Sequence, residues 1–109
     1  MNNLEEIIYE LKGVLRAYLL DHNIKCHVDI ESYRNLYGFH LKLRFYIKNL
    51  DEDCRIRKLF QLFNVNVIDS PLDPMDSIVL QEVFIGMRNI TLDIEKTYEL
   101  IAVLKLEGY

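Results

Sequence analysis

The chain has 109 residues, half of them hydrophobic, with 13 basic against 17 acidic side chains and a formal net charge of −4. That length suits one domain spanning residues 1–109 and is too short for two independent cores, while the apolar content and scarce Gly and Pro exclude disorder. The acidic balance argues against non-specific DNA or RNA binding, which draws on a basic face, and no apolar run approaches the ~20 residues that cross a bilayer.

No charged, then apolar, then small-residue leader opens the sequence, so a cytoplasmic location is expected. In that setting Cys26 and Cys54 read as two reduced thiols on apolar faces, not as a disulfide.

The first predicted element is an amphipathic helix from Asn3 to about His22. Leu4, Ile7, Ile8, Leu11, Leu15, Tyr18 and Leu19 recur at the spacing that aligns them on one stripe. Asn3 and Glu6 have the spacing of a capping box, Glu5 and Glu6 suit the positive end of the helix dipole, and Asn23 suits a left-handed stop. Gly13 falls inside this helix, where glycine costs about 1 kcal/mol relative to alanine; close approach of another backbone would explain it.

Two strands follow. Ile24, Cys26, Val28 and Ile30 alternate with Lys25, His27, Asp29 and Glu31. From Gly38 to Lys48, Phe39, Leu41, Leu43, Phe45 and Ile47 alternate with His40, Lys42, Arg44, Tyr46 and Lys48. Period-two alternation marks half-buried strands, and the turn formers from Tyr33 to Gly38 make the pair a hairpin. Charge suggests the register: setting Glu31 opposite His40 and Asp29 opposite Lys42 puts apolar residues on one side and opposite charges on the other.

Asn49 and Glu52 cap a second helix running to Asn64, with Ile56, Leu59, Phe60 and Phe63 inward and Arg55, Arg57, Lys58 and Gln61 outward. Val65 to Asp69 suits a short edge strand, and Ser70 to Asp76, with two prolines, a loop. Ser77 to Ile85 reads as a buried strand ended by Gly86. Ile90, Leu92 and Ile94 fit either a short strand or the start of a last helix, placed from about Asp93 to Glu107 with Ile94, Tyr98, Ile101 and Leu104 inward and Gly108 as its end.

These elements predict an α+β fold of order α-β-β-α-β-β-α, with helices packed on one face of a mostly antiparallel sheet. The helix-strand-strand-helix order of the first half is similar to the start of type II KH domains, an RNA-binding fold. The Gly-x-x-Gly loop by which that family grips RNA is missing here, so the likeness covers element order only.

Residue types that carry chemistry are present but dispersed. His27 and His40 share the polar sheet face about 13 Å apart at ~3.3 Å per residue, too far to share an ion, and no Cys-x-x-Cys or His-x-x-x-His spacing exists. Neither a metal nor a cofactor is expected. Cysteines on apolar faces are inert nucleophiles, no serine lies in a Gly-x-Ser-x-Gly elbow, and the four isolated glycines build no phosphate loop. Asp69, Asp73 and Asp76 lack the glycine and glutamate of a calcium loop.

Two surfaces are candidates for binding. At the hairpin tip, Tyr33, Arg34, Leu36 and Tyr37 are the residue types that anchor protein interfaces, unless they fold back on the first helix. Leu72 and Met75 in the proline loop are weaker pointers of the same kind. On the sheet, Lys42, Arg44, Tyr46 and Lys48, helped by Arg55, Arg57 and Lys58, offer a basic face with an aromatic for stacking on a nucleotide. The leading expectation is a non-catalytic module that binds another protein as adaptor, regulator or inhibitor, by analogy with compact proteins of phages and mobile elements. The alternatives are a nucleic-acid-binding module and a structural subunit that self-associates through the Val65–Asp69 edge.

Overall fold

Ile7, Leu11, Val14, Leu15 and Leu19 form the buried stripe of helix α1 (Leu4–Asp21). The computed structural model describes residues 4–109, so the expected cap at Asn3 lies outside the described residues. Asn23 takes a φ of 55°, stopping the helix as expected. Ile24 is then buried and leads into strand β1 (His27–Asn35), which pairs antiparallel with β2 (Gly38–Ile47).

The hairpin register differs from the expected one by two residues: Asp29 opposes Arg44, Glu31 opposes Lys42, His27 opposes Tyr46 and Tyr33 opposes His40. A shift of two keeps every side chain on its face and still matches opposite charges, so charge and parity could not distinguish the registers. The turn does. Asn35 Oδ1 accepts a hydrogen bond from the Tyr37 amide at 2.8 Å, and Gly38 supplies a φ of 109°. The loop shrinks to Leu36 and Tyr37, and Tyr33 and Arg34 become part of β1.

Asn49 Oδ1 accepts the Glu52 amide at 2.9 Å and starts helix α2 (Leu50–Gln61), whose Ile56, Leu59 and Phe60 are buried, with Phe63 just beyond. Asn64, at φ 55°, ends the turn after it. Phe60 meets Phe45 of β2 edge to face at 5.7 Å, fastening α2 to the sheet. Strand β3 is short (Ile68–Ser70) and starts three residues later than expected.

The largest correction concerns Ser77 to Ile85. The chain forms a short helix, α3 (Pro74–Leu80), where a buried strand was expected, and Ile78, Val79, Val83 and Ile85 are exposed. The strand lies just beyond, as β4 (Gly86–Asp93). The apolar run has no period, whereas β4 alternates with Gly86, Arg88, Ile90 and Leu92 inward, and a charged residue in that series conceals the pattern. Met75 accordingly sits on α3 and not in a loop. The ambiguous Ile90 and Leu92 therefore belong to a strand, and Ile94 opens helix α4 (Ile94–Leu106), capped by Asp93. Its buried residues are Thr97, Leu100, Ile101 and Leu104, while Tyr98 stays largely outside. Gly108, at φ 100°, follows its end.

The sheet order is β1-β2-β4-β3, antiparallel throughout, and the helix-facing side chains form one core with α1, α2 and α4. The α+β architecture is thus as expected, with α3 added and the last strand displaced. No helix among the described residues is long and apolar enough to cross a membrane.

Within this core the Glu52 carboxylate, 6% exposed, accepts the backbone amides of Lys48 at 3.0 Å and Lys25 at 3.2 Å. A capping box would send it back to the Asn49 amide; here it reaches one residue further and across to the entry of β1. An unpaired buried donor costs roughly 1–3 kcal/mol. Glu52→Ala is therefore expected to lower the unfolding free energy by about 3 kcal/mol in urea titration, and Glu52→Gln, which keeps one acceptor oxygen, by less. Equal losses in the two variants would contradict this role.

Candidate functional site

The hairpin tip protrudes. Leu36 is 99% and Tyr37 90% exposed, so neither folds back on α1. The turn is nonetheless held, by the Asn35 hydrogen bond and by Tyr33, whose ring stacks on His40 at a 5.3 Å centroid distance. Tyr33 and Arg34 are also exposed, and they continue the tip along the free edge of β1. All four are exposed at this end of the hairpin, with Tyr33 on the polar sheet face against His40 and Arg34, the next residue of β1, on the other face. Of the weaker pointers, Leu72 is half-buried and Met75 exposed.

The basic residues of the sheet and α2 are distributed differently. Lys42 lies opposite Glu31 on β1, and Arg44 opposite Asp29, with the Arg44 guanidinium 3.8 Å from Glu31. Lys48 pairs with Glu82 at 2.7 Å. Tyr46 is only 4% exposed: Phe84 covers it at 5.5 Å, His27 meets it edge-on, and its hydroxyl donates to Asp29. The segment after α3 therefore closes over this end of the polar sheet face, and Tyr46 is not available to stack on a base.

On α2, Arg55 pairs with Asp51 at 3.1 Å and donates to the carbonyl of His22, tying α2 to the end of α1. Arg57 is shared between Asp53 and Asp69, beside an open hollow of about 290 Å³ lined also by Asn64 and Val67. Lys58 alone of the seven is exposed with no ion pair among the described residues. Four of the six cations, Arg44, Lys48, Arg55 and Arg57, have a carboxylate within 4 Å; the carboxylates of β1 were expected opposite the basic residues of β2, whereas Glu82 and Asp69 reach Lys48 and Arg57 from other parts of the chain.

Arg88 is the charged residue that sequence reasoning missed. It is 9% exposed on the core face of β4 and grips both oxygens of Asp53 at 2.9 and 3.2 Å. Gly86 makes room for it, since a Cβ there would stand 2.7 Å from the Arg88 guanidinium. Burial pushes the Asp53 carboxyl up, but hydrogen bonds and charge from Arg88 and Arg57 outweigh it and hold the pKa below the usual range. Both geometry and charge make this cluster a structural clamp between α2 and β4.

Cys26 is half-buried, and burial followed by the nearby Glu52 charge raises its thiol to about 12. Cys54 is exposed on α2, contrary to its expected place in the core; its position falls between inward Glu52 and Ile56 on the solvent side of the turn. Both cysteines are free. Among the described residues no group of three or more His, Cys, Asp or Glu side chains is arranged to hold a metal ion.

Between α1 and β1 runs a groove of about 730 Å³, which no sequence motif announced. Leu15, Leu19, Ile24, Val28 and Ile30 line it, and Lys12, Arg16 and Lys25 stand around it. Elsewhere α1 is tied to α4 and to the residue Tyr109 beyond it, where Glu10 pairs with Lys105 and Tyr109 donates to Asp21.

Two outcomes follow from these environments. Folding lowers the Asp53 pKa, so its ionised form adds stability above about pH 4, the unfolded value, and that contribution is lost as pH falls through the folded one. Asp53→Asn should be less stable than the parent at neutral pH and lose less stability on acidification from about pH 4 to 2; parallel pH profiles in urea titration would exclude this clamp. Iodoacetamide applied to the folded protein should label Cys54 and spare Cys26 until denaturant is added, as read by mass spectrometry of the peptides.

No protein-family model, curated protein or solved structure matches the chain.

Proposed function

We propose that this protein is a non-catalytic binding module that acts on another protein through the end of the β1–β2 hairpin. The observation that carries the reading is the pair Leu36 and Tyr37, 99% and 90% exposed on a turn fixed by Asn35 and Gly38. An apolar residue and an aromatic held out in water gain by burial against a partner. Because the turn is already ordered, little conformational entropy is lost when they bind. Tyr33 and Arg34 extend the contact along β1, and arginine and tyrosine are prominent among residues that dominate interface energies. The module would serve as an adaptor, regulator or inhibitor. The basic residues of the sheet are a poorer basis for nucleic-acid binding, since most face carboxylates and Tyr46 is covered.

The test compares the parent with a Leu36→Ser/Tyr37→Ser variant as immobilised bait in nuclease-treated native lysate. One dominant protein should be retained near equimolar amount by the parent and lost by the variant, with no change in thermal midpoint. Capture that survives the double substitution would overturn the assignment of the tip.

A further inference from the structure

We infer that the groove between α1 and β1 receives an extended acidic segment of a partner protein, which adds to the sheet as a strand alongside β1. The inference rests on reading the protein as a binding module but uses the groove beside His27, Val28 and Ile30 of β1 and not the turn residues Leu36 and Tyr37.

Three observations converge on it. First, β1 is a nine-residue strand at the sheet edge, with β2 on one side and no element on the other among the described residues. Its outward N–H and C=O groups are a template for one more strand. Second, the groove beside that edge has an apolar floor of Leu15, Leu19, Ile24, Val28 and Ile30. A strand laid on β1 would turn alternate side chains onto this floor.

Third, the rim is cationic. Lys12, Arg16 and Lys25 are exposed, none has an ion pair among the described residues, and no acidic residue lines the groove. In a chain of net charge −4 that is a local excess of the opposite sign. Arg34 and Lys58 are also exposed without an ion pair among the described residues, but only Lys12, Arg16 and Lys25 gather around one groove.

Gly13 fits the same picture. It lies within α1 on the groove wall, and a Cβ built there meets nothing within 4 Å. No packing inside the chain requires a glycine at this point in a helix, which glycine weakens. What its missing side chain provides is space in the groove.

Charge selects the occupant. Two copies pairing β1 with β1 would bring both cationic rims together, whereas carboxylates would satisfy them. Asp29 and Glu31 occupy the opposite face of β1, since residues 28 and 30 face the groove. The docked segment should therefore carry apolar and acidic side chains toward α1, alternating with neutral or basic ones on the other face.

The test is selection from a phage-displayed random dodecapeptide library on the immobilised full chain, followed by fluorescence anisotropy with labelled synthetic copies of the enriched peptides. Enrichment of alternating apolar-acidic sequences is expected, with affinity reduced at least tenfold by Lys12→Glu/Arg16→Glu and by Gly13→Gln. Both variants alter exposed helix positions and should stay folded by circular dichroism. Leu36→Ser/Tyr37→Ser should leave peptide affinity unchanged, so failure of the tip assignment and failure of the groove are separable. The inference is overturned by absence of enrichment, by enriched peptides without acidic residues, or by affinities that neither groove variant changes. It is equally overturned if light scattering shows a dimer that Lys12→Glu/Arg16→Glu dissociates, or if single-stranded oligonucleotides occupy the groove instead.

Discussion

The buried Glu52 carboxylate is the interaction on which the rest of the arrangement depends. It lies in the first turn of α2, where the helix dipole favours negative charge, and it accepts backbone amides from the end of β2 and from the entry to β1. One side chain thus joins the start of α2 to the end of β2 just before it and to the entry of β1, 27 residues earlier in the chain. Its bond to Lys25 has a further effect. That residue sits where α1 hands over to β1, so the same carboxylate sets the mouth of the groove and the place of one of its cations.

The neighbouring carboxylate works in the opposite direction. Asp53 reaches β4 through Arg88 and shares Arg57 with Asp69, which brings β3 to the same point. Two consecutive acidic residues therefore secure opposite halves of the sheet to one helix end. Truncating one partner of a buried pair leaves the other charge stranded, so the order of the sheet is sensitive to single changes at this junction. Other ion pairs also join elements, as Lys48 with Glu82 and Glu10 with Lys105 do, while exposed apolar side chains occur along α1, β1 and the hairpin turn and again around α3, at Ile78, Val79, Val83 and Ile85.

Much of this was legible in the residues. Helical periodicity located α1 and α2, asparagines at 23 and 64 marked their ends with positive φ, and strict alternation gave β2 and its buried face. What the sequence hid has physical causes. Charge pairing is blind to a two-residue shift, and only the turn at Asn35 and Gly38 settles the register. A core-facing Arg88 disguised β4, because a one-residue pattern cannot show that Asp53 waits to receive it. The hairpin tip could be named in advance since its residues adjoin in sequence. The groove could not, because its walls come from two elements, α1 and the stretch that leads into β1.

The two edges of the sheet are unequal, and this governs how far any assembly built on them can extend. β3 offers three residues, Ile68–Ser70, followed directly by Pro71, against nine in β1. Head-to-tail stacking of copies, β1 of one on β3 of the next, would gain a ladder too short to hold and interrupted by a residue with no N–H. Growth of the sheet is therefore one-sided: a strand received at β1 terminates it. A protein that leaves a long edge open would ordinarily court fibrous polymerisation, and the truncated far edge makes the open one a socket for a single guest.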